Sequence, residues 1–197
     1  MTIHRIKLKD LNEDYIQKLK SEQKDENKEV VFWISDNTNR MIDENFWKII
    51  SFLDFENNEN NKIIEPVVQF LAQLSIDEIK AFENSLSEKL YLLDGLEFAQ
   101  NIGDNAYKGE ENPFSSDSFL YARCAVVAQG RKVFEKIKHQ PEEMIKNYTF
   151  EHLLNVASLA YKRKTGKSFN YIPNYIYETF ANSNAWGNKG LIENILG

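Results

Sequence analysis

Residues 74–95 read LSIDEIKAFENSLSEKLYLLDG, and their reading decides the fold. Ser75 and Glu78 have the spacing of a capping box, in which each side chain serves the other's backbone N–H at a helix start. Leu74 and Ile79 flank the box where a hydrophobic staple belongs. Ile79, Phe82, Leu86, Leu90 and Leu93 then recur at i, i+3, i+7, i+11 and i+14, which is one face of a helix. Gly95 marks the end of that helix or a bend in it.

The same period dominates outward from this segment. Asp43 reads as the cap of a helix with Phe46, Trp47, Ile50 and Leu53 on its face. Asn57 to Asn61 form a polar loop. Pro66 suits the first turn of a second helix, whose apolar face is Val67, Phe70, Leu71 and Leu74. Residues 101–116, with Gly103, Gly109 and Pro113, form a long irregular loop of the kind that often serves function. A helix starts at Ser116 or Asp117 and runs through Phe119, Val126 and Val127. Gly130 breaks or kinks it, Arg131 to Lys138 continue as helix, and Pro141 opens a short turn. Thr149 reads as the cap of a helix bearing Leu153, Leu154, Ala157, Ala160 and Tyr161, with Gly166 at its C′ position. The tail from Phe169 to Trp186, rich in Tyr and Asn, reads as a wrap over the core with one short helix around Tyr175–Phe180.

The N-terminus has a different period. Residues 2–8 alternate as a short strand, Asn12 caps a helix to about Lys20, and Val30 to Ile34 are β-branched and aromatic like a strand. Two strands alone are marginal in water. They pack on the helices or pair with another chain through an open edge, so a homodimer through that edge is an expectation. The fold class is therefore mainly α (α+β): a helical bundle-like domain over 41–197, with a small strand–helix–strand unit over 1–36 packed on it or appended to it.

Composition agrees with a core-forming helical chain. The 197 residues are 42% hydrophobic and 13% aromatic, with only 8 Gly and 4 Pro. A β-sandwich of this length needs more turn residues. The 24 basic residues against 30 acidic give a net charge of −6, the wrong sign for binding a phosphate backbone or an anionic membrane. Neither a nucleic-acid nor a membrane partner is expected. The single cysteine, Cys124, forms no internal disulfide. Charges interrupt the N-terminal apolar residues where a signal peptide needs an h-region, and no run reaches the ~18 apolar residues of a membrane span, so cytoplasm is the expected compartment.

The familiar chemical motifs fail on inspection. Gly166-Lys167-Ser168 resembles the end of a phosphate-binding loop, but Tyr161 stands where its first glycine belongs and the segment follows a helix. Lys162, Arg163 and Lys164, with Lys167, are a basic cluster that a last helical turn accounts for. His4, His139 and His152 lack zinc-site spacing, so no metal and no cofactor is expected. Cys124 lies in the apolar stretch Ala122–Ala128 and reads as a buried small hydrophobe. Asp104, Glu110, Glu111 and Asp117 lack the regular spacing of a calcium loop.

Several segments together carry a resemblance. They are Asp43 to Trp47; Phe70 to Phe82; Ser116-Asp117-Ser118-Phe119; Tyr121-Ala122-Arg123; Ala128 to Phe134; and Ala160 to Gly166 with Tyr177-Glu178-Thr179 and Asn182 to Trp186. Over about residues 43–187 the chain resembles the bacterial DUF4240 family, proteins of unknown function. It departs from the family pattern twice. Asn101 to Ser115 contains no tryptophan where many members have a Trp- and Gly-rich segment, and Phe180-Ala181 stands where the family has Gly-Ser. The resemblance implies a helical fold and no particular activity. It makes the polar motif residues Asp117, Arg123, Gln129, Arg131, Tyr177, Glu178 and Trp186 the candidate binding cluster.

The acidity, the missing catalytic signatures, the aromatic tail and the open strand edge point to a non-enzymatic protein–protein interaction or regulatory module with a protein partner. The alternative is an enzyme or small-ligand binder with a pocket lined by Arg123, Glu178 and their neighbours.

Overall fold

The capping box forms as its spacing requires. Ser75 Oγ accepts from the Glu78 N–H at 3.2 Å, and Glu78 Oε2 accepts from the Ser75 N–H at 2.8 Å. The chain's computed structural model describes residues 11–22 and 40–187. It divides into two units, 1–34 and 35–197. In the first, α1 spans Glu13–Glu22, and Asn12 Oδ1 accepts from the Tyr15 N–H at 3.0 Å, the cap expected of it. The expected strands at 2–8 and 30–34 lie outside the described residues.

The second unit is helical, with no strand among its described residues. Its helices are α2 (Asp43–Ile50), α3 (Asn60–Gln73), α4 (Ile76–Leu92), the one-turn α5 (Leu96–Ala99), α6 (Ser116–Ala128), α7 (Arg131–His139) and α8 (Val156–Thr165). Single 3-10 turns occupy Pro141–Glu143 and Glu151–Asn155. Gly130 takes φ +89° between α6 and α7, and Gly166 takes φ +71° after α8, both in the left-handed region where glycine is favoured. α4 is central, touching α2, α3, α6 and α8, while α3 and α8 form the most extensive helix pair.

Four local expectations need correction. Asp43 is the first residue of α2 and not its cap; its carboxylate accepts from Lys89 Nζ at 3.0 Å and Arg40 at 3.1 Å. Pro66 lies inside α3, not in its first turn. The carbonyl it leaves without an N–H is that of Lys62, an exposed residue. Thr149 caps nothing: a 3-10 turn precedes α8, and Phe150 is the residue before it. No helix forms around Tyr175–Phe180, where the backbone runs through bends and a turn with Phe180 at φ +76°.

Every residue of α4 from Ala81 to Leu90 is buried, six polar ones included. Buried polar groups need partners, so something must cover the polar faces of this helix. On one side the segment before α2 does so. Ser85 Oγ accepts from the Met41 N–H at 3.2 Å, and Arg40 pairs with Glu88 at 2.9 Å. Burial alone would raise the Asp43 carboxyl, but the bonds from Lys89 and Arg40 outweigh it and hold the group below its ordinary value.

Candidate functional site

The other polar face of α4 receives the tail. Lys80, Asn84, Ser87, Tyr91 and Asp94 recur at i, i+4, i+7, i+11 and i+14, a helical stripe beside the apolar one. Residues 167–187 run along it as a strap. Lys80 Nζ lies 5.8 Å from the Tyr171 ring centroid. Asn84 donates to Tyr171 Oη at 2.7 Å and accepts from the Asn174 N–H at 2.9 Å. Tyr175 stacks on Tyr91 at 5.3 Å, and the Tyr91 carbonyl accepts from Asn182 Nδ2 at 3.2 Å.

The strap ends in a buried clasp. Asp94 is fully buried. Its Oδ1 accepts from Trp186 Nε1 at 2.9 Å and from the Phe180 N–H at 3.2 Å, and its Oδ2 accepts from the Asn182 N–H at 2.9 Å. Arg123, also fully buried, has Nη1 4.0 Å from Asp94 Oδ1. It donates to the Leu90 carbonyl at 2.9 Å and to Thr179 Oγ1 at 2.9 Å. Thr179 passes the connection on by donating to the Ser116 carbonyl at 2.8 Å, at the start of α6. Phe119 lies under the guanidinium at 4.7 Å. Burial weakens the hold of Arg123 on its proton, and the fields of Asp94, Cys124 and Glu178 oppose this.

Aromatic packing completes the clasp. Trp186 touches Phe180 at 4.5 Å, Tyr107 at 5.6 Å and Phe119 at 5.9 Å, so the long 101–115 loop and α6 both meet the strap at this ring. Gly95 is required by close approach: a Cβ there would lie 2.9 Å from Ala185 Cβ, and the next N–H, of Leu96, donates to the Ala185 carbonyl at 3.1 Å.

Phe180 takes a φ of +76°, in the left-handed region where glycine is favoured. The ring contact with Trp186 and the bond to Asp94 hold it in a conformation that costs a side chain about 1–2 kcal/mol. Phe180→Gly and Phe180→Ala both lose the ring, and only glycine relieves the backbone. Thermal unfolding of the two variants side by side is expected to show the glycine variant more stable by about 1 kcal/mol. Equal midpoints would mean that the turn relaxes.

The structure brings some candidate residues together and leaves others apart. Arg123 and Trp186 meet on Asp94. Tyr177 is half-buried beside them, its hydroxyl pushed up to about 12 by burial and by the charges of Glu83, Glu178 and Cys124. Glu178 is exposed and reaches Arg123 only through its field; among the described residues no hydrogen bond or ion pair joins the two. Asp117 is exposed in the first turn of α6, where Ser115 is the cap, its Oγ accepting from the Ser118 N–H at 3.1 Å. Gln129 and Arg131 lie past the far end of α6, and Arg131 pairs with Glu44 of α2 at 3.4 Å. Cys124 is buried and its thiol is pushed up to about 12.

Sequence reasoning missed Asp94, Asn84 and Glu83. The first two lie on the polar stripe beside the apolar one on α4, a pattern that a solvent-facing side of a helix shows as well. Glu83 lies on neither stripe. It is buried, its Oε2 has no hydrogen-bond partner, and burial pushes its carboxyl up to about 7.

No group of three or more metal-ligating side chains occurs among the described residues, and no helix among them is long and apolar enough to cross a membrane. The model of one family, described as protein of unknown function (DUF4240), matches residues 41–163. No curated protein and no solved structure matches the chain. The match runs from the start of α2 into α8. It contains Asn84, Asp94 and Arg123 and stops before the strap they hold.

Proposed function

Because this chain belongs to the DUF4240 family of proteins of unknown function, membership assigns it no reaction, and we propose from its geometry that it is a non-enzymatic protein–protein interaction module whose binding element is the strap. One observation carries the reading. Ile172 is 88% exposed and Ile176 65% exposed, on a segment whose intervening residues are pinned to α4. Scattered exposed apolar residues are ordinary, but three within five positions, counting Tyr175 at 38%, on an immobilised backbone favour a contact surface. Holding an apolar segment outward reduces the ordering cost of binding. Arg123, the motif residue best suited to meet an anionic substrate, instead directs two donors to the protein itself.

The test is a tagged pull-down from host lysate using the wild type and an Ile172→Asp/Ile176→Asp double variant. A stoichiometric partner captured by the wild type and lost from the variant is the expected outcome, at unchanged thermal stability, since both side chains face solvent. Equal capture by both proteins removes the strap from the reading.

A further inference from the structure

Resting on that reading, we infer that the strap's partner is an acidic polypeptide segment carrying apolar side chains. The chain as a whole has net charge −6, so its surface should repel such a partner. Charge is segregated, however. From residue 161 to 177 every charged residue is basic: Lys162, Arg163, Lys164 and Lys167. Arg163 is committed to Glu65 through two bonds of 2.8 and 3.0 Å. Lys162 and Lys167 are exposed and have no ion pair among the described residues. The dipole of α8 accounts for the cations in its last turn. Lys167 lies beyond that helix, at the start of the strap.

A continuous row of rings links the cations to the apolar residues. Tyr161 touches Phe169 at 5.0 Å, Phe169 touches Tyr171 at 5.7 Å, and Lys80 sits over Tyr171. Ile172 follows directly. This stretch of backbone therefore offers exposed ammonium groups with no ion pair among the described residues and, farther along, exposed isoleucines. An acidic and apolar peptide complements both parts, the charges setting approach and selectivity and the apolar contacts supplying affinity. A nucleic-acid strand fits less well: the strap's rings are stacked on one another and on α4, and the net charge opposes a polyanion. An anionic membrane would call for a denser basic cluster than two unpaired lysines.

Fluorescence anisotropy of the full chain tests this with labelled probes. They are a short peptide of alternating acidic and leucine residues, its lysine counterpart and single-stranded DNA; phosphatidylglycerol vesicles are read by co-sedimentation. The acidic peptide is expected to bind, with affinity falling as salt rises. Lys162→Glu/Lys167→Glu should weaken it roughly tenfold, and Ile172→Asp/Ile176→Asp should abolish it. No binding of the acidic peptide, equal binding of the lysine peptide, tighter binding to DNA or vesicles, or indifference to the lysine substitutions would overturn the inference. A lysate partner lost from the isoleucine variant but kept by the lysine variant would leave the interaction module standing and remove only its acidic partner.

Discussion

Asp94→Ala is expected to destabilise the protein by about 3–5 kcal/mol, the range for removing one member of a buried charge pair. The substitution removes the acceptor of three hydrogen bonds at once, from Phe180 N, Asn182 N and Trp186 Nε1. It also leaves the fully buried Arg123 guanidinium without the anion 4.0 Å away. The second effect dominates, because an uncompensated buried charge costs more than an unmade neutral hydrogen bond. Two further variants separate the terms. Asp94→Asn keeps one acceptor oxygen and loses the charge, so its cost should approach that of alanine. Asp94→Ala combined with Arg123→Leu should be milder than Asp94→Ala alone, since removing both charges leaves neither stranded. Denaturant unfolding followed by far-ultraviolet circular dichroism measures all of them. A loss below about 1 kcal/mol for Asp94→Ala would show that the clasp adds little beyond the aromatic contacts.

The second large effect concerns pH. Glu83 is buried in α4, and its carboxyl is pushed from the ordinary 4.5 up to about 7 in the folded protein. A raised carboxyl binds its proton more tightly folded than unfolded. Its contribution to stability is therefore fully present below pH 4.5 and is lost as pH rises through about 7. The shift corresponds to about 3 kcal/mol between those limits. Glu83→Gln keeps the shape and removes the titration. It should flatten the decline in stability between pH 5 and pH 8, change little at the acid end, and be more stable than the wild type at the alkaline end by up to about 3 kcal/mol. Urea midpoints of both proteins across this range decide the matter, and parallel profiles would show that Glu83 finds a partner or water when it ionises. Tyr177, whose hydroxyl is pushed up to about 12 by burial and by the charge of Glu83, titrates far above this window and does not confuse the reading.

The helical frame was legible in the chain because its signals are local. Ser75 and Glu78 are three residues apart, Gly130 and Gly166 need only their own φ angles, and the apolar stripe from Ile79 to Leu93 lies within one helix. Short-range rules also misplaced some details. Asp43 looked like a cap because its type suits one, whereas a lysine 46 positions away holds its carboxylate. Pro66 looked like a helix start because the cost of an interior proline falls on an exposed carbonyl, which local rules do not see.

The site was legible only in part. The family motifs pointed to Arg123 and Trp186, which meet, and equally to Gln129 and Arg131, which lie elsewhere. The residue that joins the first pair, Asp94, follows the end of α4 in a turn and belongs to no motif. A polar stripe on a helix ordinarily faces water. Lys80, Asn84, Ser87, Tyr91 and Asp94 gave no hint that a segment some 90 residues later would bury most of them.

By itself, then, the sequence determined the helical class, the central helix, most of the breaks between helices and the absence of the commonest catalytic motifs, because each depends on residues within a few turns of one another. Only the tertiary structure decided that α4 is buried on its polar faces as well, that Arg123 serves a clasp, and that Ile172 and Ile176 stand outward. Those outcomes depend on hydrogen bonds spanning 86 to 92 positions between Asp94 and the strap. Contacts of that range are chosen by burial and pairing of polar groups in the folded chain, and they leave no periodic trace in its sequence.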